Sequence, residues 1–578
     1  GVDAYFIPST DPHQSEYVPA CWQRRGWLSG FTGSMGDVLV TARKAGLWVD
    51  SRYWLQGEQQ TAGSGIDLHR LGAPGVPTLM NWAVANLKKG QTFGVDPQVM
   101  SMAAAEEFES VLGAAGVKIK YVAANLVDPL WTDRPDPSDA PVKAHGVQYT
   151  GESTAQKLKR VRAKMKEFGA TAHVIGALDV IAWLFNIRSR DIEFTPVTIA
   201  YAVVTDRTAT IYCDERKVGA AVRKGLSKSA KIAPYTEAAA GIAALAKKKP
   251  TVIVDPVTTS KWVAGLLKGC DMILTESPVV FMKAVKNDVQ IKGIKAAHVR
   301  DGAAMVKFLK WLETAVPAGG VDEIVASDKL RSFRAEQSLF QDESFGPISG
   351  YAGHGAIVHY SATPKSASLL KPKGVYLIDS GGQYLDGTTD ITRTVALGPV
   401  PKRAKTMFTR VLQGVISLSR TPFPRGVSGL RLEILARQPL LFEGVTYGHG
   451  TGHGVGHYLG VHEGPMSVSP RPAANLPLEP GFFISIEPGH YEAGKFGIRV
   501  ENLAFVRRDE KLSTPAEEWL SWDTVTLCPI DLSMIDTTLM RKDEVEWLNA
   551  YHKRVYREVG PLLDTAHRAW LKKATRSL

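Results

Sequence analysis

Val375-Tyr-Leu-Ile-Asp-Ser-Gly381 is an apolar, β-like run that ends in a carboxylate and then a glycine turn. Gly387-Thr-Thr-Asp-Ile-Thr-Arg-Thr394 follows it, and its β-branched residues read as the return strand of a hairpin. Asp379 and Asp390 thus fall on one hairpin. A second is expected from Gly481-Phe-Phe-Ile-Ser-Ile-Glu-Pro-Gly489 and Phe496-Gly-Ile-Arg-Val-Glu-Asn502, with Glu487 and Glu501 on its two strands. Between the hairpins lies Tyr447-Gly-His-Gly-Thr-Gly-His-Gly-Val-Gly456, whose glycines let the backbone pass close to a buried centre. That composition argues against a helix pairing His449 with His453.

Each motif alone has a plainer reading: Asp-Ser-Gly is a common turn, and a glutamate before Pro-Gly often just ends a strand. The set is harder to explain that way. Four carboxylates at the ends of apolar strands repel one another in a low-dielectric interior unless cations neutralise them. Two divalent ions sharing a bridging hydroxide supply that neutralisation and make a hydrolytic centre. The donor set is rich in oxygen, holds one imidazole nitrogen and no thiolate. It favours Mn(II), Fe(II) or Co(II), with Zn(II) a further option.

Asp379, Asp390, His453, Glu487 and Glu501, in this order and with these flanking residues, resemble the metal-dependent pita-bread peptidases, which include methionine aminopeptidase, prolidase and X-prolyl aminopeptidase. Within that group the chain is most similar to the long, cytosolic-type X-prolyl aminopeptidases. The likeness runs from Asp11-Pro-His-Gln-Ser-Glu-Tyr17 through Ala182-Trp-Leu-Phe-Asn-Ile-Arg188 to Glu546-Trp-Leu-Asn-Ala-Tyr-His552. It implies that Asp379 chelates one metal, Asp390 and Glu501 bridge, and His453 and Glu487 hold the other. Mn(II) is the preferred pair of ions. Glu487 doubles as proton acceptor and donor, His359, His449 and His462 contact substrate or the oxyanion, and Arg499 orients a ligating carboxylate. The implied partners are peptides with proline at the second position and a second copy of the chain, in the cytoplasm. His354, in Gly353-His-Gly355, and His457 depart from the family pattern and read as surface variants.

The first half repeats itself. Val38-Leu-Val-Thr-Ala-Arg-Lys-Ala-Gly-Leu-Trp-Val-Asp-Ser-Arg52 is echoed by Ala202-Val-Val-Thr-Asp-Arg-Thr-Ala-Thr-Ile-Tyr-Cys-Asp-Glu-Arg216, with Thr, Asp and Arg at the same spacing. Two copies of one α/β domain are expected, followed by a pita-bread catalytic domain, an α/β (α+β) chain divided at 1–147, 148–287 and 288–578. Strands are expected over 4–8, 38–41 and 47–49, and helices over 102–112 and 154–168. Asp50-Ser-Arg52 recurs in the second copy, so it reads as a strand-to-helix cap rather than a catalytic group. Apolar spacing through Ile291, Ile294, Val299, Met305 and Leu309 predicts a long helix up to a break at 316–320, and Met407, Phe408, Val411, Leu412 and Val415 predict another.

At 578 residues several cores are needed. Four scattered cysteines, Cys21, Cys213, Cys270 and Cys528, suggest reduced thiols rather than a disulfide frame. No apolar run is long enough to span a bilayer, so no membrane is expected. A net charge of +11 raises the reading of a nucleic-acid or other binding protein on the same fold. The lysines are spread over several segments without interleaved aromatics, which favours a solvated surface and no nucleic acid. Retention of all five ligand residues argues against a non-catalytic binder. Prolidase, cleaving X-Pro dipeptides at the same centre, is the nearer alternative, and the duplicated N-terminal region disfavours it.

Overall fold

Residues 1–578 are described by a computed structural model, which divides into two compact units, Gly1–Lys283 and Ala284–Leu578.

In the first unit the internal repeat becomes two sheets of identical topology. One runs Ile66–Arg70, Ala45–Val49, Asp37–Thr41, Ala4–Ile7, Thr92–Val95, Lys118–Tyr121. The other runs Lys231–Pro234, Ala209–Cys213, Ala200–Thr205, Ala172–Ile175, Thr251–Val254, Asp271–Leu274. Each has an antiparallel centre flanked by parallel pairs, as βα crossovers require. The expected helices form as Met102–Ala114 and Thr154–Glu167. The second opens on a Ser153–Gln156 capping box, and Gly169 beyond its end takes a φ of 72°. The recurring Asp-x-Arg makes the same turn in both copies: Asp50 accepts from the backbone and guanidinium of Arg52, and Asp214 does the same for Arg216. Asp214 thereby caps the short helix Glu215–Lys217, whereas the helix after Asp50 starts only at Trp54, with Tyr53 at its N-cap, so the expected cap holds in the second copy alone.

The second unit is built around antiparallel sheets backed by helices. Asn287 caps the 31-residue helix Asp288–Ala318, which stops where Gly319 and Gly320 take φ of 86° and 80°. The helix Lys402–Arg420 buries Met407, Phe408, Val411, Leu412 and Val415 in one core with the strands Phe496–Arg499 and Trp519–Thr524. Each such side chain contributes roughly 1.5–3 kcal/mol relative to exposure, which makes this helix a rigid wall behind the ligands. The C-terminal helix Lys542–Val559 docks through Leu548 and Tyr551, whose hydroxyl accepts from Arg393.

The first hairpin forms, Val375–Ser380 pairing antiparallel with Ile391–Ala396 and Asp379 opposite Thr392, but Asp390 lies just before the return strand rather than within it. A small ladder, Gly382–Tyr384 with Gly387–Thr388, fills the connection. The second hairpin differs from its reading. Phe483–Ile486 pairs with Asn502–Arg508, while Gly489–Glu492 pairs with Phe496–Arg499 in a separate ladder. Glu487 and Glu501 therefore face the break between two ladders instead of sitting within strands. Pro488, which has no N–H to give, stands at that break. The strand Trp519–Thr524 pairs in turn with Asn502–Arg508.

Candidate metal centre

Cross-links between the two hairpins bring the ligand residues together. Glu501 N–H donates to Thr392 O at 3.2 Å, and Thr394 exchanges hydrogen bonds with the backbone of Arg499. The glycine-rich segment joins the same assembly, because Glu487 N–H donates to Thr451 O at 2.7 Å. Its glycines are needed for this approach. A Cβ on Gly452 would lie 1.9 Å from Ser485 O, and one on Gly454 would lie 2.1 Å from Glu463 O.

Ligand atoms of Asp390, His453 and Glu501 all lie within 4.8 Å of one another. Glu487 joins them through its Oε1, 3.4 Å from His453 Nε2, which is also 3.5 Å from Asp390 Oδ2. His453 Nδ1 donates to Gly454 O at 2.9 Å, so Nε2 is the nitrogen turned to the carboxylates. Asp379 is gripped from behind: Arg499 donates to its Oδ2 from Nη2 at 2.6 Å and from Nε at 3.2 Å. Asp379 Oδ1, Asp390 Oδ1 and Glu501 Oε1 are buried without a hydrogen-bond partner. Three orphaned anionic oxygens in one buried cluster are costly as they stand and suit a cation.

Titration tells the same story. Burial pushes Glu487 up to about 7, against the pull of His453 and Arg499. Burial, with the charges of Asp390, Glu487 and Asp379, holds Glu501 well above the usual carboxylate range. Burial also raises Asp379 in spite of Arg499. Burial alone would lower His453, but its hydrogen bond to Asp390 and the Glu487 charge bring it up to about 9. Without metal the cluster is thus biased toward holding protons, which divalent ions would displace.

The other imidazoles divide. His462 stands edge-on to His453, with ring centroids 4.3 Å apart. His449 Nδ1 donates to Gly450 O, leaving Nε2 to accept from Tyr491 Oη at 2.8 Å; that hydroxyl in turn accepts from Arg499 Nη1 at 2.6 Å. A continuous chain thus runs from Asp379 through Arg499 and Tyr491 to His449. His359 follows Val358, whose carbonyl accepts from Arg499 Nη2 at 3.4 Å. His354 is not a free surface group. It donates from Nδ1 to the buried Glu323 at 2.9 Å and stacks on Tyr360. His457 is 2 % exposed and so is no surface variant either.

Four supporting residues had no sequence signal. Tyr491 sits in an unremarked Gly-His-Tyr-Glu stretch, and Thr392 reads as one more β-branched strand residue. Thr392 Oγ1 donates to Glu501 Oε2 at 2.8 Å and accepts from Arg499 Nε. Glu323 accepts from Tyr351 N, His354 Nδ1, Tyr360 Oη and Ser368 N, which anchors the segment bearing His359. Arg437, paired with Glu433, donates to Tyr447 O and so holds the start of the glycine-rich segment.

The profile of metallopeptidase family M24 matches residues 292–508, and that of the C-terminal region of this peptidase matches 518–578. Creatinase/prolidase N-terminal domains match 1–126 and 133–290. "Aminopeptidase P2" of Arabidopsis thaliana is 41% identical over 616 residues, covering 100% of this chain and 86% of the relative. The chain belongs to the Xaa-Pro aminopeptidase P family. A "Probable Xaa-Pro aminopeptidase P" of Aspergillus niger is 39% identical, covering 100% of this chain and 96% of the relative. A crystal structure of X-prolyl aminopeptidase from Caenorhabditis elegans, described as a cytosolic enzyme with a di-nuclear active site, superposes with a TM-score of 0.97 at 37% identity. It covers 100% of this chain and 95% of that one. The Xaa-Pro aminopeptidase P fold, two creatinase-like domains before a pita-bread domain, is therefore that of this chain. None of its helices is long and apolar enough to cross a membrane.

Proposed function

We propose that this chain hydrolyses the bond between an N-terminal residue and a following proline, using two divalent metal ions. The observation that carries the proposal is the cluster of four carboxylates and one imidazole, in which the buried Asp379, Asp390 and Glu501 each have an orphaned oxygen, in a chain of this family. Asp379 would hold one ion, Asp390 and Glu501 both, and His453 with Glu487 the other. Bound there, the ions would polarise the scissile carbonyl and activate water.

The protein's own groups do the rest. Glu487, at the edge of the cluster beside His453, takes the proton from water and returns it to the departing proline nitrogen. His462, beside His453, donates a hydrogen bond where negative charge grows on the carbonyl oxygen, and His359 assists from its anchored segment. Arg499 fixes Asp379, and through Tyr491 it fixes the His449 ring that meets substrate.

The oxygen-rich donor set supports Mn(II) as the ion. The four free cysteines suit a reducing compartment such as the cytoplasm. The family resemblance supports a homodimer. The division at 1–147, 148–287 and 288–578 is supported by family profiles that change near 126–133 and 290–292. A direct test compares release of the N-terminal residue from a peptide with proline second and from its alanine analogue. Equal or exclusive cleavage of the alanine peptide would overturn the proposal.

A further inference from the structure

Lysines dispersed along the sequence of the second α/β domain are gathered by its topology onto one edge. The strands Ala172–Ile175, Ala209–Cys213, Lys231–Pro234, Thr251–Val254 and Asp271–Leu274 all point the same way. Every segment entering one of them therefore lies at one end of the sheet. Pairings Thr205 with Ala172, Thr210 with Lys231, Val252 with Ala172 and Thr251 with Asp271 hold these entries side by side. The bonds Thr171 N to Thr251 O and Asp206 N to Thr171 O tie the loops across the edge.

What these segments carry is mostly cationic. The end of helix Thr154–Glu167 brings Arg162, Lys164 and Lys166, and the hairpin tip brings Arg207. Lys224, Lys228 and Lys231 precede one strand, the run Lys247–Lys249 another, and Lys268 a third. All but the half-buried Arg162 are exposed. Only Glu167, Asp206 and Asp271 oppose them, and two of these are already paired, with Lys164 and Arg207. Eleven basic against three acidic side chains leave +8 at this edge, most of the +11 of the whole chain. The lysines are solvated, as expected, but segments remote in sequence are adjacent in space.

We infer that this edge is an electrostatic docking surface for an anionic lipid bilayer. Two features favour lipid over nucleic acid. Nine of the eleven cations are lysines, point charges on long flexible stems; Arg207 is paired and Arg162 spends its Nε on Thr205 O, so the planar forks that grip phosphate in pairs are missing. The ring exposed among them is Phe168, 44 % accessible just after Lys164 and Lys166, and no exposed tyrosine or tryptophan offers a stacking platform. A lone apolar ring beside lysines matches the way peripheral proteins seat on headgroups. None of the residues gathered at this edge belongs to the metal centre.

The test is co-sedimentation of the full chain with phosphatidylcholine vesicles with and without phosphatidylglycerol, across a salt series. Binding is expected only with phosphatidylglycerol and is lost as salt rises. Replacing Lys228, Lys231 and Lys248 together by Glu should weaken it by roughly a hundredfold or more, with peptide hydrolysis unchanged as the check on folding. Phe168→Ser should weaken vesicle binding and leave binding to soluble heparin unaltered. Vesicle binding indifferent to phosphatidylglycerol, or to the triple substitution, overturns the inference. So does tighter binding to duplex DNA than to vesicles at the same salt.

Discussion

Thr392→Val removes one hydroxyl and keeps the shape of a side chain that is 0% exposed. Its Oγ1 donates at 2.8 Å to Glu501 Oε2 and accepts from Arg499 Nε, while Glu501 Oε1 has no partner. A hydrogen bond to a charged group contributes about 1.5–3 kcal/mol. That bond supports the ionised form of Glu501, the form a metal needs, so its loss strengthens the hold on the competing proton. At 1.4 kcal/mol per factor of ten, Mn(II) affinity for the weaker site should fall about 10- to 100-fold, as expected of a group that orients a ligand. Calorimetric titration of metal-stripped protein measures it, with metal content after desalting as a second readout. Thr392→Ser keeps the hydroxyl and should bind like wild type. A valine variant whose Kd stays within about twofold of wild type would refute the claim that this hydroxyl prepares Glu501 for metal.

Glu487→Ala should abolish turnover, a loss on the order of 10³-fold or more in steady-state assays with saturating Mn(II); near-normal activity in a metal-loaded sample would remove Glu487 from its proposed role. Glu323→Gln turns an amide NH2 toward a pocket in which all four neighbours are donors, leaving about 1–3 kcal/mol for each one unmet. Its Tm and kcat should both drop, and unchanged values in calorimetry and kinetics would show that Glu323 does not anchor the His359 segment. Stability of the metal-free protein should fall as pH rises. A carboxyl held up to about 7 lends its proton-linked stability fully below the usual 4.5 and loses it through 7, and His453, raised to about 9, adds the same sign between 6.5 and 9. The Tm gap between Mn(II)-loaded and chelated protein should therefore widen from pH 5.5 to 8.5; a gap that narrows would contradict the reading of protons standing in for cations.

The candidate ligands, which the structure brings into one cluster, were legible because each sits at a sharp local signal, a carboxylate at a strand end or a histidine among glycines. The repeat was legible for a similar reason: Thr, Asp and Arg mark the same turns in both copies. Pairing of Glu487 and Glu501 within one hairpin was misread because two ladders share one stretch of chain, and alternation cannot show where hydrogen bonding passes from one partner to the next. Tyr491, Thr392 and Glu323 went unnoticed since their importance lies in partners more than 25 residues away or in a residue of no special character until Arg499 reaches it. His354 and His457 read as surface variants because they depart from the family pattern, and such a departure carries no signal of the Glu323 and Tyr360 contacts or of burial. The basic edge escaped for the opposite reason, since five separate segments each look unexceptional until parallel strands align their entrances.

The central claim is most directly tested by cleavage of Arg-Pro-Pro and Arg-Pro by metal-stripped protein reconstituted with Mn(II). Release of arginine from the tripeptide with little turnover of the dipeptide is the expected result. Preference for the dipeptide would make the chain a prolidase on this fold, and no cleavage of either would contradict a hydrolytic centre at Asp379, Asp390, His453, Glu487 and Glu501.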